Sequence, residues 1–283
     1  MASHPLVSVV IAAKNEEKNI GNCLKSILHQ TYPLNKIENI VVDNNSSDKT
    51  KEIAKRYTKN VYNFGPERSA QRNFGINKAK GKYILYLDAD MSLSPKLIEE
   101  CVQKFDNHQL TINNQPTLTG LYIPEIVTGD TFWCKVRNFE RSFYNATVID
   151  AVRFLPKKSW EEVGGFDENL TGPEDWDFDK KVRIKGKVDI ISASLYHNEN
   201  NFDLKTYLTG KEYYLPSIKK YIEKWGKSDP NIKQQLDFYY RFMGVFIENG
   251  KWKKLVCFPL LAIGMYFLRI YVGLNYIKRR INI

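Results

Sequence analysis

No Gly-x-Gly-x-x-Gly follows the first β-branched run of this 283-residue chain, and it contains no Gly-x-x-x-x-Gly-Lys-Ser/Thr loop. The first absence argues against a dinucleotide cofactor and the second against a P-loop nucleotide hydrolase. There is no low-complexity tract and no repeat at a fixed period. The four cysteines, Cys23, Cys101, Cys134 and Cys257, are scattered without metal-ligand spacing. Cys23 and Cys101 fall on apolar helical stripes, so they read as buried thiols in a reducing compartment. Leu6 to Ala13 is too short, and too closely followed by charges, for a signal peptide, so none is expected. No uninterrupted run of about 20 apolar residues occurs, the length a spanning helix requires. What is abundant is positive charge. Forty-two Lys and Arg against 32 Asp and Glu leave a formal +10, which suits an anionic partner: nucleic acid, an acidic membrane face or a phosphorylated substrate.

The length allows one large domain or a domain with an appendage. Leu6 to Ile11 is β-branched and is expected to be a strand. The following helix carries Ile20, Cys23, Leu24, Ile27 and Leu28 on one face, in the 3.6-residue period. Thr31-Tyr32-Pro33 ends it, and Ile37 to Val42 makes a second strand. Asp43 to Asp48 forms a turn that caps a helix over Thr50 to Tyr57. A short strand near Val61, a polar helix from Arg68 to Lys78 and a strand at Tyr83 follow. This β-α-β-α-β-α-β order predicts a doubly wound parallel sheet. Ser94-Pro95 starts a helix with Leu97, Ile98, Cys101, Val102 and Phe105 buried. Thr117 to Ile123 and Asp150 to Leu155 read as strands. Between them Phe132 to Tyr144 reads as a basic, aromatic helix, either packed on the core or lying on a membrane surface or acceptor.

Two acidic clusters stand out. Tyr83 to Leu87 is a continuous apolar run that stops at Asp88-Ala89-Asp90. If Asp88 ends the strand and Asp90 begins the turn, both face the crevice beyond the strand's carboxyl end, where open α/β sheets bind ligands. Two acids in one crevice repel unless a cation lies between them, so a divalent metal is one reading. A turn cap at Asp88 with a solvated Asp90 is the other. The second cluster, Gly172-Pro173-Glu174-Asp175-Trp176-Asp177, precedes a helix. Its acids either complement the helix dipole or supply a rigid, partly desolvated general base. Val188 to Ile191 is expected to be a strand, with His197 in a polar loop beyond it.

Taken in order, these pieces resemble glycosyltransferase family 2, the inverting enzymes on the GT-A fold. Val7 to Ile11 with Asn15-Glu16 resembles the family's opening strand and nucleotide loop, and Val41 to Asp48 its second-strand signature. Ala70-Gln71-Arg72-Asn73 with Gly75, Ala79 and Gly81 resembles the helix leading to the metal motif, which Asp88-Ala89-Asp90 matches. Gly164-Gly165-Phe166-Asp167 and Glu174-Asp175 resemble the acceptor segment and the catalytic-base motif. The match covers roughly the first two thirds of the chain. It implies a GT-A, Rossmann-like mixed α/β sheet and transfer from a UDP- or GDP-sugar to a lipid-linked or cell-surface saccharide. It further implies Mg²⁺ or Mn²⁺ held by Asp90, with His197 as a third metal ligand, and Asp175 as general base. Asp88 would lie near the ribose or just outside the metal's ligands, Asp43 and Asn44 near the nucleobase, and Arg72 near the nucleotide loop or the diphosphate. Ala12, Lys14 and Glu16 would line the nucleotide site, and Gly165, Glu174 and Trp176 the acceptor side. Ala12-Ala13-Lys14 stands where many relatives have Pro-Thr-Tyr, so a stacking aromatic is missing and Lys14 is free to meet phosphate. Asn44 replaces a frequent aspartate, which blurs the choice of nucleobase. No Gln-x-x-Arg-Trp occurs, which disfavours a processive polymer synthase.

The expected boundary follows residue 204, with a catalytic domain over 1–204 and a helical appendage over 205–283. There Tyr207, Tyr214, Ile218, Tyr221, Ile222 and Trp225 share a helical face, Lys211, Lys219, Lys220 and Lys224 lie largely off it, and Pro216 is expected to kink or break the helix. Leu255 to Leu268 is apolar but interrupted by Pro259 and Gly264 and followed by Arg269, as in a re-entrant or interfacial segment. Its basic and aromatic flanks suit the anionic cytoplasmic face of a cell membrane. The alternative is a core helix of a soluble appendage. A basic nucleic-acid- or membrane-binding protein without turnover is the competing function, but the lysines are spread over helices and form no recognisable binding motif, so no nucleic-acid partner is expected.

Overall fold

The computed structural model describes residues 4–110, 117–200, 202–204, 207 and 215–281. The chain divides into two compact units: Met1–Glu125 with Asp150–His197, and Ile126–Ile149 with Asn198–Ile283. Where the sequence suggested one cut after 204, residues 126–149 instead group with the C-terminal part.

The first unit is built on a seven-stranded sheet. Its order is β3 (Val61–Asn63), β2 (Ile37–Asp43), β1 (Val7–Ala13), β4 (Tyr83–Asp88), β8 (Phe154–Pro156), β6 (Leu118–Tyr122) and β9 (Lys187–Ile190). All seven residues of β1 are buried, as expected of a central strand covered on both faces. β1 runs parallel to β2 and β4, in register from Val7↔Ile37 to Ala13↔Asp43 and from Val7↔Tyr83 to Ala12↔Asp88. That register brings Ala12, Asp43 and Asp88 to one edge, the carboxyl ends of adjacent parallel strands.

The sheet is mixed rather than wholly parallel. β8 pairs antiparallel with both β4 and β6. An apolar run reads the same in either direction, so hydrophobicity alone gave no sense for this strand. Its regular part is also shorter than Asp150 to Leu155. Arg153 is nevertheless tied in, its N–H donating to the Leu121 carbonyl and its carbonyl accepting from Tyr86 N–H.

Helices α1 (Ile20–Leu28), α2 (Thr50–Ala54), α3 (Arg68–Lys78) and α4 (Leu97–Leu110) separate the strands of the amino-terminal half. Ile20, Cys23, Leu24 and Ile27 are buried, but Leu28, expected on the same stripe, is 45% exposed. It lies at the helix end, beyond the turn that meets the sheet. α3 approaches the sheet closely at Gly75, where an added Cβ would lie 2.4 Å from Val10 Cγ1 and 3.0 Å from Val42 Cγ2. One turn earlier, Gln71 Nε2 donates to the carbonyls of Ala13 (3.0 Å) and Val42 (2.6 Å), closing the ends of β1 and β2. Two short strands complete this edge. β5 (Met91–Leu93) pairs antiparallel with β10 (Leu195–Asn198), placing His197 opposite Met91. His197 is therefore on a strand, not in the expected polar loop.

β7 (Glu125–Thr128) starts at the unit boundary, and α5 (Phe132–Arg141) belongs to the second unit. The Thr131 hydroxyl caps α5 by accepting from Cys134 N–H at 3.2 Å. Helices Leu215–Trp225, Pro230–Leu236, Trp252–Cys257 and Pro259–Ile281 follow. Pro216 sits in the first turn of helix Leu215–Trp225, where a missing N–H costs nothing, and the stretch before it, where the break was expected, lies outside the described residues. Tyr214, Lys205 and Lys211 lie outside the described residues. Among the described residues, no helix is long and apolar enough to cross a membrane.

Candidate active site

The two acidic clusters meet at one guanidinium. Arg72, on the inner face of α3, is fully buried and spans both: Nη2 donates to Asp88 Oδ1 at 2.9 Å and Nη1 to Asp175 Oδ1 at 2.7 Å. Its plane lies over Tyr86 and Phe166, with centroid distances of 4.9 and 5.3 Å. Burial would lower the Arg72 pKa, but Asp175 and Asp88 outweigh it and hold the group firmly charged. Burial would likewise raise Asp88, yet Arg72, Arg68 and Arg153 together keep its carboxyl well below the usual carboxylate range. Arg68, one turn before Arg72 in α3, reaches Asp88 Oδ2 at 3.6 Å and Glu174 Oε1 at 3.4 Å.

Asp175 lies in the first turn of helix Glu174–Lys185 with Glu174 and Asp177, where negative charge complements the helix dipole. Its side chain is 23% exposed. Oδ1 is occupied by Arg72, and Oδ2 makes no hydrogen bond among the described residues. Glu174 is buried, and that burial, followed by the charge of Asp175, raises its pKa despite Arg68 and Arg72. Trp176 is half-buried beside them. Gly165 has φ +68°, and a Cβ there would lie 2.7 Å from Asn73 Oδ1 and 2.9 Å from Trp160. It thus sets the turn in which Asn73 grips both the N–H and the carbonyl of Phe166.

Asp90 leaves β4 two residues after Asp88 and meets His197. Asp90 Oδ2 is 3.0 Å from His197 Nε2, and Glu125 Oε1 is 2.9 Å from the opposite ring nitrogen, Nδ1. Burial alone would lower the ring's pKa, but hydrogen bonds with Asp90 and Glu125 override it and push it up to about 10. Asp90 Oδ1 is buried without a hydrogen-bond partner among the described residues. Glu16 is raised chiefly by burial, offset by Asn19, and then further by Asp90 and Asp88. The charges of Asp90 and Asp88 are thus felt at Glu16, and a cation between these carboxylates would relieve their repulsion.

The expected nucleotide residues fall into two groups. Ala12 is buried in β1 beside Asp88, and Lys14 is exposed at the strand's end. Asp43 and Asn44 are turned into the fold. Asp43 is fully buried, with Oδ2 accepting from Ser46 N–H at 2.8 Å. The Asn44 amide donates to the Pro66 carbonyl, and a Cβ on Gly65 would lie 2.3 Å from Asn44 Oδ1. The loops after β1 and β2 are laced together: Asn15 N–H donates to Ser46 Oγ at 2.8 Å and Glu16 N–H to Thr50 Oγ1 at 2.7 Å.

The sequence reading missed three residues. Arg68 was within reach, because a basic pair four residues apart shares one helix face. Arg153 is buried, 3.7 Å from Glu125 and 5.4 Å from the Tyr86 centroid; a charge inside the apolar run Ala151 to Leu155 was its signal. Glu125 carried none.

A model of glycosyl transferase family 2 matches residues 8–120. An uncharacterized glycosyltransferase of Haemophilus influenzae is 35% identical over 271 residues, covering 80% of this chain and 77% of its own. The chain belongs to glycosyltransferase family 2. The family match ends before Asp175 and His197, so for those two residues the geometry above is the independent observation. Glycosyltransferase AglE of Haloferax volcanii is 40% identical over 199 residues, covering 64% of this chain and 62% of AglE. The minor teichoic acid biosynthesis protein GgaB of Bacillus subtilis is 24% identical over 88% of this chain, which spans 29% of GgaB. Among solved structures, mannosyltransferase PcManGT from Pyrobaculum calidifontis, in complex with GDP-Man and Mn²⁺, shares the fold. Its TM-score is 0.60 at 19% identity, over 96% of this chain and 84% of that one.

The divalent ion implied by the family resemblance fits the residues present. Asp90 Oδ1 is an acceptor left over in a buried position, and His197 Nε2, which here shares Asp90 Oδ2, would add an imidazole nitrogen once a bound cation displaces its proton. Among the described residues, no group of three or more His, Cys, Asp or Glu is placed to hold an ion unaided. Magnesium commonly binds in this way, through one or two protein ligands plus substrate phosphates.

Proposed function

We propose that this chain moves a sugar from a nucleoside-diphosphate sugar, UDP- or GDP-linked, to a hydroxyl or phosphate of a lipid-linked or cell-surface saccharide, inverting the anomeric centre. The observation that carries the reading is the Arg72 bridge, which joins the Asp-x-Asp strand end to the Glu-Asp helix start. Charge on one side of the site and a proton acceptor on the other are what an in-line displacement with a diphosphate leaving group requires. The relatives' names agree in class: GgaB is named for teichoic acid biosynthesis, and PcManGT was solved with GDP-Man and Mn²⁺.

In this reading Arg72 fixes Asp175 through Oδ1, leaving Oδ2 to accept the proton of an acceptor hydroxyl. The acceptor oxygen then bonds to the anomeric carbon as the carbon–oxygen bond to the diphosphate breaks on the opposite face. General-base assistance of this kind contributes about 10²–10⁴-fold in rate. Asp88, kept ionised by three arginines, is an acceptor for a ribose hydroxyl. Asp90 and His197 would hold Mg²⁺ or Mn²⁺, which when bound offsets the negative charge gathering on the leaving diphosphate.

The test is a panel of UDP- and GDP-sugars with Mg²⁺ or Mn²⁺, read by melting temperature and by nucleotide release with saccharide acceptors. A donor at about 100 times its Kd stabilises the protein by about 2.7 kcal/mol. At about 2–4 °C per kcal/mol, that is a rise of roughly 5–11 °C. A panel in which no nucleotide sugar shifts melting or is turned over contradicts the proposal.

A further inference from the structure

The second unit presents an apolar face that its own packing leaves uncovered. Along helix Pro259–Ile281, Leu260, Ile263, Phe267, Ile270 and Leu274 recur every three or four residues and are 49–73% exposed. The opposite side is committed to the unit. Ala262, Met265 and Leu268 are buried, and a Cβ on Gly264 would lie 2.8 Å from Val136 and 3.0 Å from Phe132 of α5. Arg269 donates to Glu140 at 2.5 Å and to the Tyr144 hydroxyl at 2.8 Å. The helix is therefore fixed with its apolar stripe outward. Trp252, Val256 and Phe258, just before this helix in the chain, are also 50%, 68% and 54% exposed.

Charge selects the occupant. Residues 238–283 hold eight Lys or Arg and one acid, Glu248, and Lys253 and Lys254 lie exposed beside Trp252. Two copies meeting through this face would set like charges together, whereas an anionic lipid surface is attracted at about 1 kcal/mol per basic residue. A broad apolar face flanked by Lys and Trp, in a chain where no helix among the described residues is long and apolar enough to cross a membrane, matches helices that lie in the interfacial plane. We propose that this face seats on a bilayer containing anionic lipid, with Leu260, Ile263 and Phe267 entering the acyl boundary. The proposal stands apart from sugar transfer, because its test reads binding and not turnover.

The full chain is floated with vesicles of phosphatidylcholine, with and without phosphatidylglycerol. Wild type is expected to float with the phosphatidylglycerol vesicles, and to do so less at high salt. Leu260→Asp/Ile263→Asp is expected to stay in the dense fraction while melting at the wild-type temperature. Lys253→Glu, on an exposed side chain, is expected to lower flotation with anionic vesicles only, which keeps the test valid if the double variant folds poorly. Flotation unchanged by either variant, or equal with and without phosphatidylglycerol, overturns the proposal. So does a wild-type dimer in sedimentation without vesicles that the double variant converts to monomer, because the face then belongs to a second copy.

Discussion

Replacing Arg72 with Met tests the bridge most severely. Methionine keeps the contact with Tyr86 and Phe166 but removes the charge between Asp88 and Asp175. Two charge-assisted hydrogen bonds are lost, at 2.9 and 2.7 Å; Asp175 loses its hydrogen-bonded partner, and Asp88 keeps only Arg68, at 3.6 Å, and the more distant Arg153. Removing one partner of a buried ion pair costs about 3–5 kcal/mol. Asp88 and Asp175 keep 18% and 23% side-chain exposure, so water recovers part of this and the low end, about 3 kcal/mol, is expected. For a protein of this size that lowers the melting temperature by roughly 6–12 °C. A second comparison isolates the charge: Arg72→Met/Asp88→Asn/Asp175→Asn removes the stranded carboxylates and should melt above Arg72→Met alone. Thermal unfolding followed by circular dichroism reads both. Arg72→Met melting within about 1 °C of wild type, or the triple variant melting below it, would refute the bridge as the element that holds the two clusters together.

Asp179 is pushed up to about 6, by burial first and against the pull of Arg183. The folded state thus keeps a proton that the unfolded chain releases near pH 4, and stability falls as pH rises from about 4 to 6, by at most about 3 kcal/mol. Asp179→Asn should gain on wild type across that window in urea midpoints; a constant difference at pH 4 and 6.5 counts against this. Gly75→Ala forces a methyl against Val10 and Val42 and should cost about 1–3 kcal/mol in thermal unfolding; an unchanged melting temperature would mean that α3 can shift away. Asp90→Ala should erase the extra melting rise that Mn²⁺ gives with nucleotide, measured from the variant's own unliganded melting temperature, which falls with the loss of the His197 partner. An intact Mn²⁺ effect would move the cation site elsewhere.

The amino-terminal half was legible because β1, the end of β2 and β4 are apolar runs and the helix after β1 keeps a 3.6-residue period. Asp88 and Asp90 were visible because they end such a run abruptly. What stayed hidden depends on contacts distant in sequence. Arg72 meets partners 16 and 103 residues away, and nothing in its own segment indicates that it joins them. His197 read as a loop residue because β10 is four residues long and carries Tyr, His and Asn. Only the pairing with β5 shows why it faces Asp90. Asp43 and Asn44 resemble a nucleotide-binding pair, and the sequence did not show that their side chains also hold the loops at Ser46 and Pro66. Residues 126–149 gave no sign of leaving the first unit, since a helix with one apolar face packs equally well on either.

The central claim is tested most directly by nucleotide release from the preferred donor, comparing wild type with Asp175→Asn in the presence of acceptor. The account predicts a fall in kcat of about 10²-fold or more, with nucleotide affinity close to wild type and a melting temperature lowered by the loss of one charged partner of the buried Arg72. Turnover by Asp175→Asn within a few-fold of wild type would contradict it.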